Sequence, residues 1–329
     1  MVYGMNFDIL TEKKQALDDF RPLPDTLVRN LDEWFRVELT YTSNAIEGNT
    51  LTRRETALVV EKGLTVGGKS LIEHLEATNH ARALDWVRTT VESKNKELTG
   101  QDIMAIHETI LRGIDDGHCG SYRSVPVRIS GSRVALPNPL KVPDLMDNFC
   151  DWLSSGRQVH PVEFAAEAHY RLVTIHPFVD GNGRTARLLM NMLLLKAGYP
   201  PAIIRKRNRL AYIESLEKAQ TGGSQNDYLK LIADAVSRSL NIYLKAVRNE
   251  EAEPEPEEEA LLKIGQLARL VGKNNSTIRY WTKNGLLSVA ATTEAGYQLY
   301  APESVDRAKQ IMELQNRRLT LEEIRQEFE

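Results

Sequence analysis

The chain has 329 residues, a formal net charge of −3 and a hydrophobic fraction of 42%. This length suits one large domain or two, and the small charge excludes a global electrostatic attraction to nucleic acid or membranes. Two cysteines, Cys119 and Cys150, exclude a disulfide framework, and the sequence predicts neither a signal peptide nor a membrane span. We therefore expect a soluble cytoplasmic protein.

Amphipathic helices dominate the first 250 residues. Apolar residues recur at helical spacing in the ranges 11–40, 71–94, 101–113, 142–153, 162–175, 209–219 and 226–247. The exception is Val125–Leu136, where apolar and polar residues alternate around Ser130-Gly131 and predict a β-hairpin. A single hairpin on a helical body is either a surface excursion or an edge to which an extended peptide adds a strand.

Glu47 lies where one helix is predicted to end. Gly48-Asn49 is typical of a helix end, and Thr52 followed by Glu55 predicts a capping box that starts the next helix. The helix dipole disfavours a carboxylate at such a C-terminal position. Spacing alone leaves two interpretations open: a solvated surface glutamate, or a carboxylate with a cationic partner, for which Arg187 is a candidate.

The stretch His176–Arg187 reads HPFVDGNGRTAR and precedes a very apolar helix at residues 188–195. Because such a helix is normally buried, the polar stretch lies at the N-terminal end of a central helix. Exposed N–H groups and the helix dipole favour an anion there. Two glycines allow close approach of that anion, and two arginines on one helix face fork onto phosphate oxygens.

Two side chains of this stretch add chemistry. Asp180 supplies a carboxylate beside the phosphates, which suits Mg²⁺, and His176 accepts a proton near pH 7. A base, a metal ligand and a phosphate cradle together predict phosphoryl or nucleotidyl transfer. The weaker alternative is a metal hydrolase built on His160, His169 and His176, since His169 is better explained as a core residue.

The C-terminal part of the chain has a different pattern. Residues 250–259 contain seven Glu and two Pro, which predicts an extended charged linker. Beyond it, the sequence predicts short helices at 264–271 and 276–283, a wing at 286–300, and helices at 302–318 and 320–328, the last opened by a Thr320/Glu323 capping box. Helix, turn, helix and wing is a DNA-binding arrangement.

The Fic family signature His-Pro-Phe-x-Asp-Gly-Asn-Gly-Arg-x-x-Arg is met at every fixed position of His176–Arg187. The chain resembles this family from about Tyr41 to Ala235, above all its self-inhibited adenylyltransferases. The resemblance implies a mostly α fold: a Fic helical bundle with a β-hairpin flap, plus a small C-terminal winged helix-turn-helix domain. The implied domains are 1–110, a helical region with an inhibitory helix near 40–48; 111–247, the catalytic core; 248–260, the acidic linker; and 261–329, the winged-helix domain.

The resemblance implies transfer of AMP from ATP to a Ser, Thr or Tyr hydroxyl of a target protein, which includes the chain itself. His176 would be the general base, Asp180 would hold Mg²⁺, and Phe178 would anchor the loop. The implied nucleotide-binding residues are Val127, Arg128, Ile129 and Ser130 of the flap, Asp180, Gly181, Asn182, Gly183, Arg184, Thr185, Ala186 and Arg187 of the signature, and Tyr212 and Gln220.

Self-inhibited members also carry the pattern Ser/Thr-x-x-x-Glu-Gly/Asn, which Ser43, Glu47 and Gly48 fit. The resemblance implies that Glu47 pairs with Arg187 and occupies the place of the γ-phosphate. In some relatives the same glutamate aligns a water that removes AMP, so AMP removal stays open as an alternative. A homodimer is a further expectation from the resemblance.

The tail is similar to MerR-type winged-helix domains in Ile264–Ala268, Thr277–Trp281 and Gly285–Leu287. This resemblance implies DNA contacts from Thr277, Arg279 and Tyr280. Gln298 stands where that family usually carries Arg, and Thr293 lacks the charge of a frequent Arg, so two phosphate contacts are missing. DNA binding and protein docking both stay open, and the alternative function is a DNA-bound transcriptional regulator with a nucleotide-sensing Fic body.

Overall fold

We describe the fold from a computed structural model, which describes residues 7–93, 98–155, 159–250, 261–292, 297–301, 304–316 and 323. The chain forms two compact units, Met1–Glu253 and Pro254–Glu329. Of the predicted linker at 248–260, residues 251–260 lie outside the described residues. Within the described ranges, no helix is both long enough and apolar enough to cross a membrane.

The first unit is helical, as predicted. Its described α-helices are α1 Asp8–Asp18, α2 Asp25–Ile46, α3 Arg53–Lys62, α4 Leu71–Glu92, α5 Gly100–Leu111, α6 Val142–Ser154, α7 Pro161–Ile175, α8 Asn182–Lys196, α9 Arg209–Gln220 and α10 Asn226–Val247. Single 3-10 turns at Pro139–Lys141 and Lys206–Asn208 precede α6 and α9. The helical range 11–40 is divided into α1 and α2 by a segment that contains Pro22 and Pro24, because proline interrupts a helix.

Capping boxes fix where the N-terminal helices begin. The predicted box of Thr52 and Glu55 opens α3, and Ser70 with Glu73 opens α4 in the same way. The helix α2 ends at Ile46, followed by Gly48 with φ +104°, a conformation that favours glycine. The predicted helix end before Gly48 is therefore confirmed, and Glu47 is the residue that caps α2.

The helix α8 is the centre of this unit, as its apolar sequence predicts. Its side chains Leu188, Leu189, Met190, Met192 and Leu194 are buried, and α2, α4, α5 and α7 all pack against it. The buried amide of Asn191, in the middle of α8, accepts a hydrogen bond from the Ala202 amide at 2.8 Å and donates to the Ala202 carbonyl at 3.3 Å. This pair of bonds fixes the segment after α8 on the central helix.

The flap at Val125–Leu136 differs from a regular hairpin. The chain reverses at Ser130-Gly131, and the Ser132 amide donates to the Ile129 carbonyl at 3.1 Å, but the two arms are not assigned as strands. Along the arms, exposure still alternates, with Val127 and Ile129 half-buried. The predicted chain reversal is confirmed and the predicted strand ladder is wrong, because other elements hold the arms: Glu217 of α9 accepts from the Arg133 amide at 2.9 Å.

The second unit combines three helices with a small sheet in its described residues. These elements are β1 Leu262–Lys263, α11 Ile264–Leu270, α12 Asn275–Lys283, β2 Ala291–Thr292, β3 Gln298–Tyr300 and α13 Ser304–Asn316. The sheet order is β1-β3-β2 and both pairs are antiparallel. Leu267, Ile278, Trp281, Tyr300 and Ile311 are buried in its core. The wing is thus confirmed. The strand β1 was not predicted, because two residues are too few to form a recognisable strand pattern.

Some predictions for the tail fall outside the described residues. The tip of the wing at residues 293–296 is among them, and so is the last predicted helix at 320–328 with Thr320 of its capping box, Glu323 excepted. These expectations stay predictions.

Replacement of Asn191 by alanine should lower the free energy of unfolding of the first unit by about 2 kcal/mol, because it leaves the Ala202 amide and carbonyl buried without partners. Urea denaturation followed by circular dichroism measures this change. Asn148→Ala is the matched control, since Asn148 is an exposed helical amide that donates to the Asp144 carbonyl, and it should stay within about 0.5 kcal/mol of the wild type. Equal losses in both variants would contradict the assignment.

Candidate active site

His176 stands at the end of α7 with φ +52°, which lies in the left-handed region. Its Nδ1 lies 3.3 Å from the Val173 carbonyl oxygen, an acceptor, so Nδ1 carries the proton and Nε2 keeps a free lone pair. Burial lowers the pKa of His176, and the nearby Arg123 charge acts in the same direction, although Glu47 and Asp180 oppose it. The imidazole is therefore neutral near pH 7, as a general base requires.

Arg123 joins the histidine to the flap. Its Nε donates to the His176 carbonyl at 2.8 Å, while its Nη1 and Nη2 donate to the carbonyls of Val125 at 3.3 Å and Pro137 at 2.7 Å. The side chain is buried, and its three bonds tie both ends of the flap to the backbone of the predicted base. Sequence reasoning missed Arg123, because an arginine in a loop carries no periodic or spacing signal.

The loop between His176 and α8 is held from inside. Asn182 accepts from the Phe178 amide at 2.9 Å and donates to the Phe178 carbonyl at 3.0 Å, so its side chain closes the loop and does not face a ligand. The predicted anion-hole role therefore falls to its backbone at the N-terminus of α8. Phe178 is fully buried, as predicted, and stacks on His107 with ring centroids 3.6 Å apart.

His107 of α5 is a second support that sequence reasoning missed. Its Nδ1 accepts from the Gly120 amide at 3.0 Å, so its Nε2 carries the proton and donates to the Asp180 carbonyl at 2.9 Å. Burial is the main cause that lowers the pKa of His107 to about 4, which keeps it neutral. A Cβ at Gly181 would lie 3.3 Å from this ring, and Gly181 has φ +73°, so the loop requires glycine there.

The two signature arginines are both buried at the start of α8. Arg184 donates to Glu76 of α4 at 2.8 Å and to Asp180 at 3.1 Å. Arg187 donates from Nη2 to Glu47 Oε1 at 2.7 Å and to the Ser43 carbonyl at 3.0 Å, and from Nε to Ser43 Oγ at 3.0 Å. The pairing of Glu47 with Arg187, implied by the sequence resemblance, is present, and Ser43 is part of it.

The carboxylate of Glu47 lies directly over Gly183. A Cβ built on Gly183 would lie 2.5 Å from Glu47 Oε1 and 3.0 Å from Arg187 Nη1. This position is the N-terminus of α8, where the helix dipole and free amide groups favour an anion. The glutamate therefore occupies the anion position that the sequence predicts for a phosphate.

Charge dominates the titration of this pair. Burial alone would raise the pKa of Glu47, but the charges of Arg187 and Arg184 outweigh burial and hold the pKa below the ordinary value of 4.5. The carboxylate is therefore ionised throughout the neutral range. Arg209 of α9 contributes a further positive charge, and its Nε donates to the Ile46 carbonyl at 2.6 Å, which fixes the C-terminal end of α2.

The remaining predicted nucleotide-binding residues are spread over several environments. Thr185 and Ala186 have fully buried side chains, and Thr185 Oγ1 donates to the Gly181 carbonyl at 2.9 Å, so Thr185 supports the loop from the interior. Gln220 is half-buried and donates to Thr174 Oγ1 at 3.1 Å. On the flap, Val127 and Ile129 are half-buried, whereas Arg128 and Ser130 are exposed.

Tyr212 lies behind Arg187 in a buried polar chain. It interacts electrostatically with the Arg187 guanidinium, and its hydroxyl lies 2.7 Å from His169 Nε2. His169 Nδ1 lies 2.8 Å from the Tyr228 hydroxyl, which donates to the Ala166 carbonyl. Burial lowers the pKa of His169 to about 3. His169 is thus a core residue, and both of its nitrogens are engaged, which is against the three-histidine metal site.

Comparison with known proteins agrees with this geometry. Residues 97–194 match the model of the Fic/DOC family. A solved Fic domain-containing signalling protein from Bacteroides thetaiotaomicron is 32% identical and superposes with a TM-score of 0.68, over 76% of this chain and 100% of that one. The chain belongs to the Fic/DOC family. Fic-1 from C. elegans (residues 134–508) is also 32% identical, with a TM-score of 0.66 over 74% of this chain and 72% of that one.

Curated Fic relatives carry a functional name. The proteins from Culex quinquefasciatus and Nematostella vectensis, both named "Protein adenylyltransferase Fic", are 39% identical over 242 residues and 43% identical over 206 residues. These matches cover 73% and 62% of this chain. The chain spans about half the length of these curated relatives, 48% in each case.

The tail matches a second family model, MerR HTH family regulatory protein, over residues 262–329. On α12, Arg279, Tyr280 and Lys283 are exposed, whereas Ile278 and Trp281 are buried. Thr277 is half-buried and donates to Asn274, which caps the helix. Of the three candidate DNA-contacting residues, Arg279 and Tyr280 therefore present their side chains to solvent, and Thr277 mainly supports the start of α12.

Glu47→Gln should reveal the ion pair through the pH dependence of stability. A carboxyl whose pKa is lowered by folding stabilises the folded state above its unfolded pKa of about 4.5, and this stabilisation is lost as the pH falls through the lower folded pKa. We expect the wild type to exceed Glu47→Gln in free energy of unfolding at pH 7, and the difference to shrink steadily below pH 4.5. A constant difference, measured by urea denaturation at each pH, would contradict the ion pair.

Proposed function

We propose that this Fic protein is a protein adenylyltransferase that transfers AMP from ATP to a Ser, Thr or Tyr hydroxyl of a target protein, and that Glu47 inhibits it. The observation that carries the proposal is the placement of neutral His176 beside the N-terminus of α8, where two buried arginines surround an anion position. The names of the curated relatives support the same activity.

A small number of groups would carry out the reaction. Nε2 of His176 takes the proton from the attacking hydroxyl, while the backbone at Gly181–Gly183 and the two arginines hold the phosphates by charge and hydrogen bonds. The hydroxyl oxygen then bonds to the α-phosphorus, and the bond to pyrophosphate breaks. The flap residues Val127–Ser130 align the target segment beside the base. Buried Tyr212 supports Arg187, and Gln220 stays a proposed contact on the nucleotide side.

Asp180 is the residue that would hold Mg²⁺. Its side chain is 65% exposed beside Arg184, and Mg²⁺ typically takes one or two carboxylates together with substrate phosphates. The exposed carboxylate of Asp180, in contact with Arg184, fits this demand. When bound, the ion would neutralise phosphate charge during displacement.

Inhibition follows from the place of Glu47. Its carboxylate lies over Gly183 and pairs with Arg187, so a phosphate cannot take the same position while the glutamate is present. ATP that binds elsewhere in the pocket is displaced from in-line geometry, and a displacement of about 1 Å costs about 10²-fold in rate. AMP removal by the same site is the alternative within this chemistry, with Glu47 orienting a water.

Several parts of the proposal rest on the sequence and its resemblance. We propose that the protein is located in the cytoplasm, where its two cysteines stay reduced, and that it forms a homodimer. We also keep the division into an N-terminal region at 1–110, a catalytic core at 111–247, a linker at 248–260 and a winged-helix domain at 261–329.

Glu47→Gly should raise transfer of label from α-labelled ATP by about 10²-fold, because the anion position becomes free. His176→Ala in either background should abolish transfer, because no base remains. Incubation with cell lysate, followed by mass spectrometry, identifies the labelled residue. Glu61→Gly is the matched control, since Glu61 is an exposed helical glutamate, and it should label like the wild type. Equal labelling by wild type and Glu47→Gly would refute inhibition.

The activity of Glu47→Gly should persist to unusually low pH. The pKa of His176 is below its ordinary value of 6.5, and removal of Glu47 lowers it further because the Glu47 charge raises it. The acidic limb of kcat/KM should therefore have its midpoint below pH 6.5. His118→Gln, which changes an exposed histidine, should leave this limb unchanged. A midpoint at or above pH 6.5 would contradict the assigned environment of His176.

A second candidate function is DNA-bound regulation, and the MerR match with the exposed Arg279 and Tyr280 favours it. We expect the full chain to retard a DNA fragment selected from a random pool, independently of His176→Ala. Arg279→Ala should weaken this binding by about 1–3 kcal/mol if the residue contacts a base. Absence of retardation at low salt would dismiss DNA binding and leave protein docking as the role of the tail.

A further inference from the structure

Arg184 lies between two carboxylates of different exposure. Its Nη1 donates to Glu76 Oε1 at 2.8 Å and its Nη2 donates to Asp180 Oδ2 at 3.1 Å. The Arg184 side chain is 3% exposed, that of Glu76 is 17% exposed and that of Asp180 is 65% exposed. The guanidinium is thus held from the interior by Glu76, and Asp180 contacts it from the solvent side.

Glu76 is itself fixed by the end of the inhibitory helix. Its Oε2 accepts from Asn49 Nδ2 at 2.8 Å, and the same amide group donates to the Glu73 carbonyl at 3.0 Å. The Asn49 backbone amide donates to the Asn44 carbonyl of α2. Both oxygens of Glu76 are therefore engaged, one by Arg184 and one by a residue two positions after Glu47.

We propose that Glu76 is a positioning residue that holds Arg184 and so keeps the Asp180 carboxylate available for Mg²⁺. This inference rests on the proposed function and adds a residue to its site. A buried guanidinium requires acceptors for its charge. Without the charge of Glu76, Asp180 is the carboxylate that remains in contact with Arg184, and the two pair more tightly. Tighter pairing withdraws the metal ligand and turns the arginine away from the phosphates.

Two other roles for Glu76 predict different behaviour. If its carboxylate only competed with phosphate for Arg184, removal of the charge would tighten ATP binding with or without Mg²⁺. If Glu76 only supported the fold, its loss would weaken both affinities by the same factor. The proposed role alone predicts that the gain in ATP affinity on adding Mg²⁺ becomes smaller.

Calorimetric titration of the full chain with ATP, once with Mg²⁺ and once with EDTA, separates these roles. The parent carries Glu47→Gly to free the anion position and His176→Ala to prevent turnover. The measured quantity is the dissociation constant of ATP with EDTA divided by that with Mg²⁺. Glu76→Gln in this parent should reduce this ratio about tenfold, a usual effect for the loss of a residue that supports a metal ligand. Glu92→Gln, at the exposed far end of α4, should leave the ratio unchanged.

An unchanged ratio, or tighter binding under both conditions, would overturn the inference. Asn49→Ala is the second variant if Glu76→Gln fails to fold, because it releases the other Glu76 oxygen. It should lower the same ratio by a smaller factor. An unchanged ratio in Asn49→Ala would also overturn the inference. A parent that does not bind ATP would overturn the proposed function and this inference together. A parent that binds MgATP, while the chain with His176 transfers no AMP, would overturn the proposed function alone.

Discussion

The ion pair between Glu47 and Arg187 is the interaction on which the rest of the site depends. Two guanidinium groups are buried at the start of α8, and a buried charge without a partner is strongly destabilising. Besides Asp180 of the loop itself, the acceptors come from the N-terminal helices: Ser43 and Glu47 from the end of α2, and Glu76 from α4. The N-terminal region is therefore bound to the signature loop by the charge requirement of the loop itself.

Burial sets the protonation of the histidines around the site, and the charge of the buried arginines acts in the same direction. The pKa of His80 is lowered to about 3, mainly by burial and further by Arg187 and Arg184, and His107 and His169 are lowered in similar ways. These rings stay neutral and serve as fixed hydrogen-bond donors and acceptors. The pKa of His176 is lowered as well, and the contact of its Nδ1 with the Val173 carbonyl leaves Nε2 as the nitrogen that would act as the base.

The sequence predicted the parts of the site that are contiguous in the chain. His176, Asp180 and the two arginines fall within twelve residues, and Glu47 belongs to a six-residue pattern, so both were found. Residues that act through tertiary contact were missed: His107, Arg123, Arg209 and Glu76 each reach the site from a distant element, and no local spacing marks them. Asn182 is the reverse case. The sequence predicted it as a nucleotide-binding residue, but its side chain bonds to Phe178 and stabilises the loop.

The fold was also predictable where it depends on local sequence patterns, and not where it depends on tertiary contacts. Helices follow from local periodicity, and their limits agree with the caps at Thr52 and Gly48. The flap alternates like a strand pair, yet Arg123 and Glu217 hold its arms, and such external partners leave no mark in the pattern of Val125–Leu136. The strand β1 has two residues, and only its pairing with β3 defines it.

The absence of a side chain at Gly183 has a consequence for how such a site is controlled. A larger residue there would displace Glu47 and, under the proposed function, a substrate phosphate as well, so selectivity between the two could not be encoded at the shared position. Under the proposed function the choice becomes an equilibrium between two occupants, and productive nucleotide binding scales with the fraction of molecules in which the glutamate has left. That fraction is set at the anchors of α2, where Arg209 holds Ile46 and Asn49 holds Glu76. If the proposed activity holds, evolution can adjust its resting level through these distant anchors while the twelve-residue loop stays unchanged.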